Sequence, residues 1–240
     1  MINRFKGLFK KLKENQRAIL KNQNQQTALF ELKSMFSCGN FIPMTGWSMS
    51  PRAIVHCLNI IVLTDRKNIL ELGGGATTLY IAQLLKITNS NGKLTCIESD
   101  PEWFEKLKIQ LETYGLTDYV NLILAPLTKV SSRFKFRNQD LWYDTTILED
   151  KTKDYTAIDF VIVDGPYGGA SSFSRYSAYP FFKAKSTSDI FWLLDDTGRN
   201  DEDFIVKEWQ KLSNLQVSTF DRYSLLYSSN NYDLAPYKNQ

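Results

Sequence analysis

Two rhythms of apolar and polar positions run along this chain. From Ile2 to about residue 33 there is no proline and only Gly7, and Ile2, Phe5, Leu8, Phe9 and Leu12 recur at helical spacing. The spacing predicts an amphipathic helix. Farther along it, Ile19 and Leu20 are separated from Leu29 and Phe30 by a Gln/Asn-rich stretch, Asn22 to Gln26, that interrupts any heptad pattern. Ser37 to Pro51 reads as loop, punctuated by Gly39, Pro43, Gly46 and Pro51. Beyond it the rhythm changes: short runs rich in branched residues alternate with helical patterns. Helices are expected near Arg52 to Leu63, Thr77 to Leu85, Glu102 to Tyr114 and Asp201 to Leu212. Strands are expected at Asn68 to Leu72, Lys93 to Glu98, Val120 to Leu124, Ile158 to Val163 and Ile190 to Leu194. Runs of this kind suit parallel strands buried on both faces. The alternation predicts an α/β fold with a doubly wound, mostly parallel sheet of about seven strands. Gln216 to Phe220 and Ser224 to Tyr227 are close enough to form an antiparallel strand pair at its C-terminal end.

Charge divides the chain in the same place as the rhythm. Residues 1 to 21 carry Arg4, Lys6, Lys10, Lys11, Lys13, Arg17 and Lys21 against Glu14, a net +6 in a chain whose formal charge is +3, so the remainder is acidic. An acidic body lacks the basic stripe that nucleic-acid binding needs, and no nucleic-acid partner is expected. The N-terminal unit is therefore a basic amphipathic helix over 1–34, and the α/β domain occupies 35–240. No apolar run approaches the roughly 20 residues that span a bilayer, and the start is a poor secretory signal. Cys38, Cys57 and Cys96 are widely spaced with no metal-binding pattern, which suits reduced thiols and a cytoplasmic location.

The strongest local signal is Ile69-Leu70-Glu71-Leu72-Gly73-Gly74-Gly75-Ala76-Thr77-Thr78, a strand entering a glycine turn that opens a helix. A ligand can approach such a backbone closely, and the helix start offers unpaired N–H groups. The second strand ends at Ile97-Glu98-Ser99-Asp100, which sets an acid beside the same crevice about 20 residues later, suited to two ribose hydroxyls. Gly73-x-Gly75-x-x-Thr78 lacks the third Gly or Ala of the dinucleotide fingerprint, so a nicotinamide-dependent oxidoreductase is the weaker reading. A non-catalytic nucleotide-binding protein is the other alternative.

Glu71 to Gly75 and Glu98 resemble the first motif and the ribose-binding acid of class I S-adenosylmethionine-dependent methyltransferases, over roughly residues 40 to 230. The resemblance implies a Rossmann-like fold, S-adenosylmethionine as cofactor and methyl transfer as the reaction. Glu71, Gly73, Gly74, Gly75, Thr77, Glu98, Ser99, Ala125, Pro126, Leu127 and Asp164 are the expected cofactor-binding residues. Gly46 to Pro51, Val163 to Pro166, Arg175-Tyr176 and Leu194 to Asp196 look like a bacterial branch found among glycan and natural-product tailoring enzymes, which implies a sugar, glycan or related small-molecule hydroxyl as acceptor.

Asp164 stands where the fourth of these strands ends, and Asp195 with Asp196 where the fifth ends, so the three carboxylates converge on one crevice. Clustered carboxylates repel, and hard oxygen ligands suit Mg²⁺, Mn²⁺ or Ca²⁺. Catechol O-methyltransferase and its relatives carry a metal at similar places, which adds to the expectation of a divalent cation on Asp164, Asp195 and Asp196. The lysine those enzymes place after the strand-four acid is missing here, where Gly165-Pro166-Tyr167 stands, so their base does not transfer. Without a metal, Asp164 is the candidate base; Arg175 is the candidate polar partner, with Arg199 also flanking the crevice. His56 is expected to pack in an apolar helix, and Trp142-Tyr143 either wall the pocket or pack. For the basic helix three partners remain open: an anionic membrane surface, which would make the protein peripheral at the inner face of the membrane, a second subunit in a homodimer, or its own domain.

Overall fold

The computed structural model describes residues 2–37, 40–229 and 233–236, with side chains from Lys6 onward. Cys38, expected as a reduced thiol, lies outside them; Cys57 and Cys96 are free and buried. Helix α1 (Ile2–Ser34) precedes α2 (Pro51–Leu63), followed by β1 (Asn68–Leu72), α3 (Ala76–Ile87), β2 (Lys93–Glu98), α4 (Pro101–Thr113) and β3 (Val120–Leu124). Then come β4 (Leu127–Lys129), β5 (Leu141–Tyr143), α5 (Thr145–Lys151), β6 (Ile158–Val163), α6 (Ala178–Phe182), β7 (Ser186–Leu194), α7 (Asn200–Lys211), β8 (Gln216–Thr219) and β9 (Ser224–Tyr227). Helix starts follow local chemistry. Ser50 and Asp100 accept the N–H groups of Ala53 and Trp103 at the starts of α2 and α4, each followed by a proline whose missing N–H costs nothing there.

The main sheet has seven strands in the order β3-β2-β1-β6-β7-β9-β8. β3, β2, β1, β6 and β7 run parallel, and β9 joins β7 antiparallel with β8 outside it. This is the expected Rossmann-like architecture. β7 is longer than the apolar run Ile190 to Leu194, because its first residues, Ser186 to Asp189, are polar and partly exposed while still in strand form. The small antiparallel pair β4-β5 has no counterpart among the expected elements; three-residue strands carry too little periodicity to be read.

Side chains alternate across the parallel sheet into two apolar layers. Ile69, Cys96, Phe160 and Ile162 join α2, α3 and α4 on one face; Leu70, Leu72, Val161 and Val163 join Trp142, Phe182 and Trp209 on the other. The sheet reverses its winding between β1 and β6 beside β2, and the carboxyl ends of these strands open the crevice in which α/β proteins bind ligands. At the chain start, Ala28 and Leu32 of α1 are buried against the α2 face of the body, whereas every residue from Lys6 to Gln23 is exposed. Among the described residues no helix is long and apolar enough to cross a membrane.

Candidate functional site

The glycine turn sits at the mouth of the crevice, and its three glycines differ in what surrounds them. Gly73 has φ +88°, and a Cβ there would stand 2.7 Å from the Gly165 nitrogen and 2.9 Å from the Asp164 carbonyl carbon. Only glycine allows β1 and β6 to end this close together. A Cβ on Gly74 would strike Leu107 and Cys96, at 2.6 and 2.8 Å. On Gly75 it would meet nothing within 4 Å, so the free volume above the turn lies on the Gly75 side.

Glu98, 7% exposed, lies directly beside this turn. Its Oε2 accepts from the Gly74 N–H at 3.0 Å, and its Oε1 accepts from the N–H groups of Ser99 and Asp100 at 2.6 and 2.8 Å. The carboxylate is thus fixed by its own chain and keeps lone pairs for further donors. Ser99 adds its hydroxyl to Oε1 at 3.3 Å. The Ala125 N–H donates to the Glu98 carbonyl at 2.8 Å, which brings the 125–127 segment to the same edge, with Ala125 buried and Pro126 exposed. Trp103 of α4 donates its indole N–H to the Gly74 carbonyl at 2.7 Å and so rests on the turn.

Glu71 is fully buried, and alternation places it with Ile69 in the α2/α3 layer. Its Oε2 accepts from the Thr78 hydroxyl at 2.5 Å, and the same hydroxyl accepts from the Gly75 N–H at 2.9 Å. Thr78 therefore ties the strand to the helix start, and Thr77, expected at the cofactor, is buried beside it. Glu71 Oε1 has no hydrogen-bond partner, and burial pushes the carboxyl up to about 8 against the opposing pull of Thr78. Glu71 positions the turn from beneath.

On the other side of the crevice Asp164, Asp195 and Asp196 converge, each offering a carboxylate oxygen within 4.8 Å of the others. Asp196 holds a left-handed φ of 59°, a conformation that Asp tolerates better than most residues. Three guanidinium groups meet these acids. Arg175, its side chain 3% exposed, donates from Nη2 to Asp164 Oδ1 at 3.2 Å and Asp196 Oδ2 at 3.3 Å. Its other donors reach the carbonyl oxygens of Pro166 and Asp195 at 3.4 and 3.0 Å. Arg222 reaches Asp196 Oδ1 at 2.7 Å and Asp195 Oδ2 at 3.6 Å, and Arg199 reaches Asp196 Oδ2 at 3.0 Å. Both oxygens of Asp195 are buried without a hydrogen-bond partner. Burial raises Asp164 well above the carboxylate range, with Arg175 opposing and the neighbouring acids adding. Burial and Asp196 raise Asp195 to about 6. Arg175, expected as a catalytic partner, has its donors committed to the strand ends and acts as a positioning residue; Arg222 was not among the expected residues.

His56 is buried and its Nδ1 lies 2.8 Å from the Tyr223 hydroxyl, in keeping with the packing reading. Trp142 and Tyr143 are buried too, and only the Tyr143 hydroxyl approaches the crevice floor, against Gly165. Trp47 and Tyr167, both exposed, meet with ring centroids 4.8 Å apart and planes tilted by 39°, so the 40–50 loop meets the segment that comes after Asp164.

No family model matches the chain, and no curated protein matches it in sequence. Solved structures do match. An O-methyltransferase from Bacillus cereus in complex with SAH aligns with TM-score 0.55 at 14% identity, covering 85% of this chain and 90% of that one. The methyltransferase PaMTH1 from Podospora anserina, bound to SAH, aligns with TM-score 0.54 at 15% identity over 86% and 88%. The O-methyltransferase TomG from Streptomyces achromogenes, involved in tomaymycin synthesis and in complex with SAM, aligns with TM-score 0.53 at 14% identity over 78% and 84%. The chain has the fold of class I S-adenosylmethionine-dependent O-methyltransferases. At these identities the likeness is one of fold, and the chemistry rests on the glycine turn, Glu98 and the three aspartates themselves.

Proposed function

We propose that this methyltransferase-fold chain transfers a methyl group from S-adenosylmethionine to a hydroxyl of a sugar, glycan or related small molecule. The observation that carries the reading is the fixed Glu98 carboxylate beside a glycine turn that is open only at Gly75, with Asp164 across the same crevice. The open side of the turn fits a nucleoside whose ribose hydroxyls donate to Glu98, with the 125–127 segment flanking the adenine. S-adenosylmethionine, when bound, supplies an activated methyl group on a sulfonium, so the chain itself need only orient the acceptor and take up its proton. Where no cation is held, Asp164, fixed by Arg175 and raised by burial, is suited to accept that proton. The exposed Trp47-Tyr167 pair offers an apolar face to the acceptor at the rim.

A divalent cation is the finer part of the proposal. The donor set fits one: three hard oxygen ligands converge, and Asp195 keeps two buried oxygens without a partner. Asp164, Asp195 and Asp196 would hold the ion, which would lower the pKa of an acceptor hydroxyl. Arg175, Arg199 and Arg222 already offset much of the acids' charge, leaving Asp195 as the ligand most in need of a cation. The test is transfer of label from S-adenosylmethionine to a panel of hydroxylated glycans and small molecules, with and without chelator, alongside calorimetry with Mn²⁺. Turnover restored by Mg²⁺ or Mn²⁺, and Mn²⁺ binding lost in Asp195→Asn, are expected. Full turnover after chelation defeats the cation and leaves methyl transfer standing; failure of S-adenosylmethionine or its demethylated product to bind defeats the whole reading.

A further inference from the structure

The first two thirds of α1 present an apolar stripe to solvent. Leu8, Phe9, Leu12, Ile19, Leu20 and Phe30 are 56%, 62%, 49%, 57%, 43% and 78% exposed. At about 100° per residue they cluster on one side of the helix, and Ala28 and Leu32, the residues buried against the body, fall on the opposite side. The stripe therefore points away from the body instead of being a packing face left uncovered. Lys13 and Lys6 border it on one side, and Arg17 and Lys10, farther round, continue the basic face behind it; all four are exposed. From Lys6 to Gln23 the helix extends about 27 Å with every residue exposed.

We propose that this face of α1 docks in the plane of an anionic lipid bilayer, the apolar stripe entering the acyl boundary and the bordering lysines and Arg17 reaching the headgroups. A second copy of the chain is the poorer partner on charge. Parallel helices would set net +6 beside net +6, and Glu14, the one acid among residues 1–21, is already 4.0 Å from Lys10. Antiparallel helices overlapping on Leu8 to Leu20 would likewise oppose two segments of net +6, since these residues lie within 1–21. An anionic surface removes both difficulties, and the acidic remainder of the chain gives no competing attraction to it. Docking is a property of α1 and does not depend on the methyl-transfer reading.

The experiment is co-sedimentation of the full chain with vesicles of phosphatidylcholine alone and of phosphatidylcholine with phosphatidylglycerol, at low and high salt. Binding to the phosphatidylglycerol vesicles, weakened by salt, is expected. Lys10→Glu/Lys13→Glu/Arg17→Glu should weaken it on the order of 100-fold or more, and Leu12→Glu/Ile19→Glu should abolish it. All five positions are exposed, so unchanged circular dichroism of both variants separates lost docking from lost folding. Equal binding to neutral vesicles, or none to either, overturns the proposal. So does a wild-type dimer that Leu12→Glu/Ile19→Glu converts to monomer, which would give the stripe to a second copy.

Discussion

Glu71→Gln isolates a carboxyl that the fold buries beneath the glycine turn. Its pKa rises from 4.5 in a free chain to about 8 in the folded protein, chiefly because burial penalises the charged form. The folded state therefore holds a proton that the unfolded state releases between these values. Stability from this group is fully present below pH 4.5, declines as pH rises, and is lost above about 8. At about 1.4 kcal/mol per unit the whole effect is on the order of 4 to 5 kcal/mol. Glutamine keeps the acceptor for the Thr78 hydroxyl and cannot ionise. It leaves a buried amide in place of the unpartnered Oε1, a cost of about 1 to 3 kcal/mol that does not vary with pH.

Urea denaturation of both proteins at intervals between pH 5 and 9.5 checks this. The wild type should be the more stable at the acid end, and the difference should shrink and reverse toward the alkaline end. Other groups that titrate in this range, Asp195 among them, are present in both proteins and cancel from the difference. Parallel stability curves across the whole range would refute the reasoning and mean that Glu71 is charged where it sits.

Two further outcomes rest on the geometry of the turn. Glu98→Ala should weaken binding of S-adenosylmethionine or its demethylated product by about 10- to 150-fold, the loss of one charge-assisted contact; unchanged affinity in calorimetry removes Glu98 from the site. Gly73→Ala forces a Cβ into the backbone at Gly165 at a left-handed φ and should cost about 2 to 5 kcal/mol in urea denaturation. Gly75→Ala, whose Cβ meets nothing, should leave stability within about 0.5 kcal/mol and lower cofactor affinity, so unchanged affinity there would place the cofactor elsewhere.

The parallel strands were legible because burial in the sheet leaves continuous apolar runs: β1, β2, β3 and β6 begin and end where those runs do. Once the strands are known, the site's outline is fixed, since parallel strands deliver their carboxyl ends to one edge, and Gly73, Glu98, Asp164 and Asp195 each stand just where a strand stops. Strand alternation also accounts for Glu71. In a strand with both faces buried a mid-strand acid has no wet side to face, and period two sets it with Ile69 in the α2/α3 layer and not over the crevice. Reading Glu71 as a cofactor contact took its place in a motif for its direction in space.

Arg222, and the way Arg175 is committed to the strand ends, were illegible for a different reason. Arg175 lies in the turns between β6 and α6, eleven residues after Asp164, and Arg222 in the turn between β8 and β9, 26 residues after Asp196. Neither belongs to a periodic segment, so only the closing of the sheet brings them to the acids. Their presence changes the chemistry that three aspartates imply. An uncompensated triad would have to bind protons or a cation to persist at neutral pH, whereas Arg175 is fixed by three backbone carbonyls at the strand ends and balances Asp164 before any ligand arrives. Arg222 and Arg199 complete the coordination of Asp196. Asp195 is the least satisfied of the three: it has the triad's most buried side chain, Arg222 no nearer than 3.6 Å, and no hydrogen bond on either oxygen. A cation requirement in this chain is thus a requirement of Asp195, and it is in that residue, not in the count of acids, that dependence on a metal is decided.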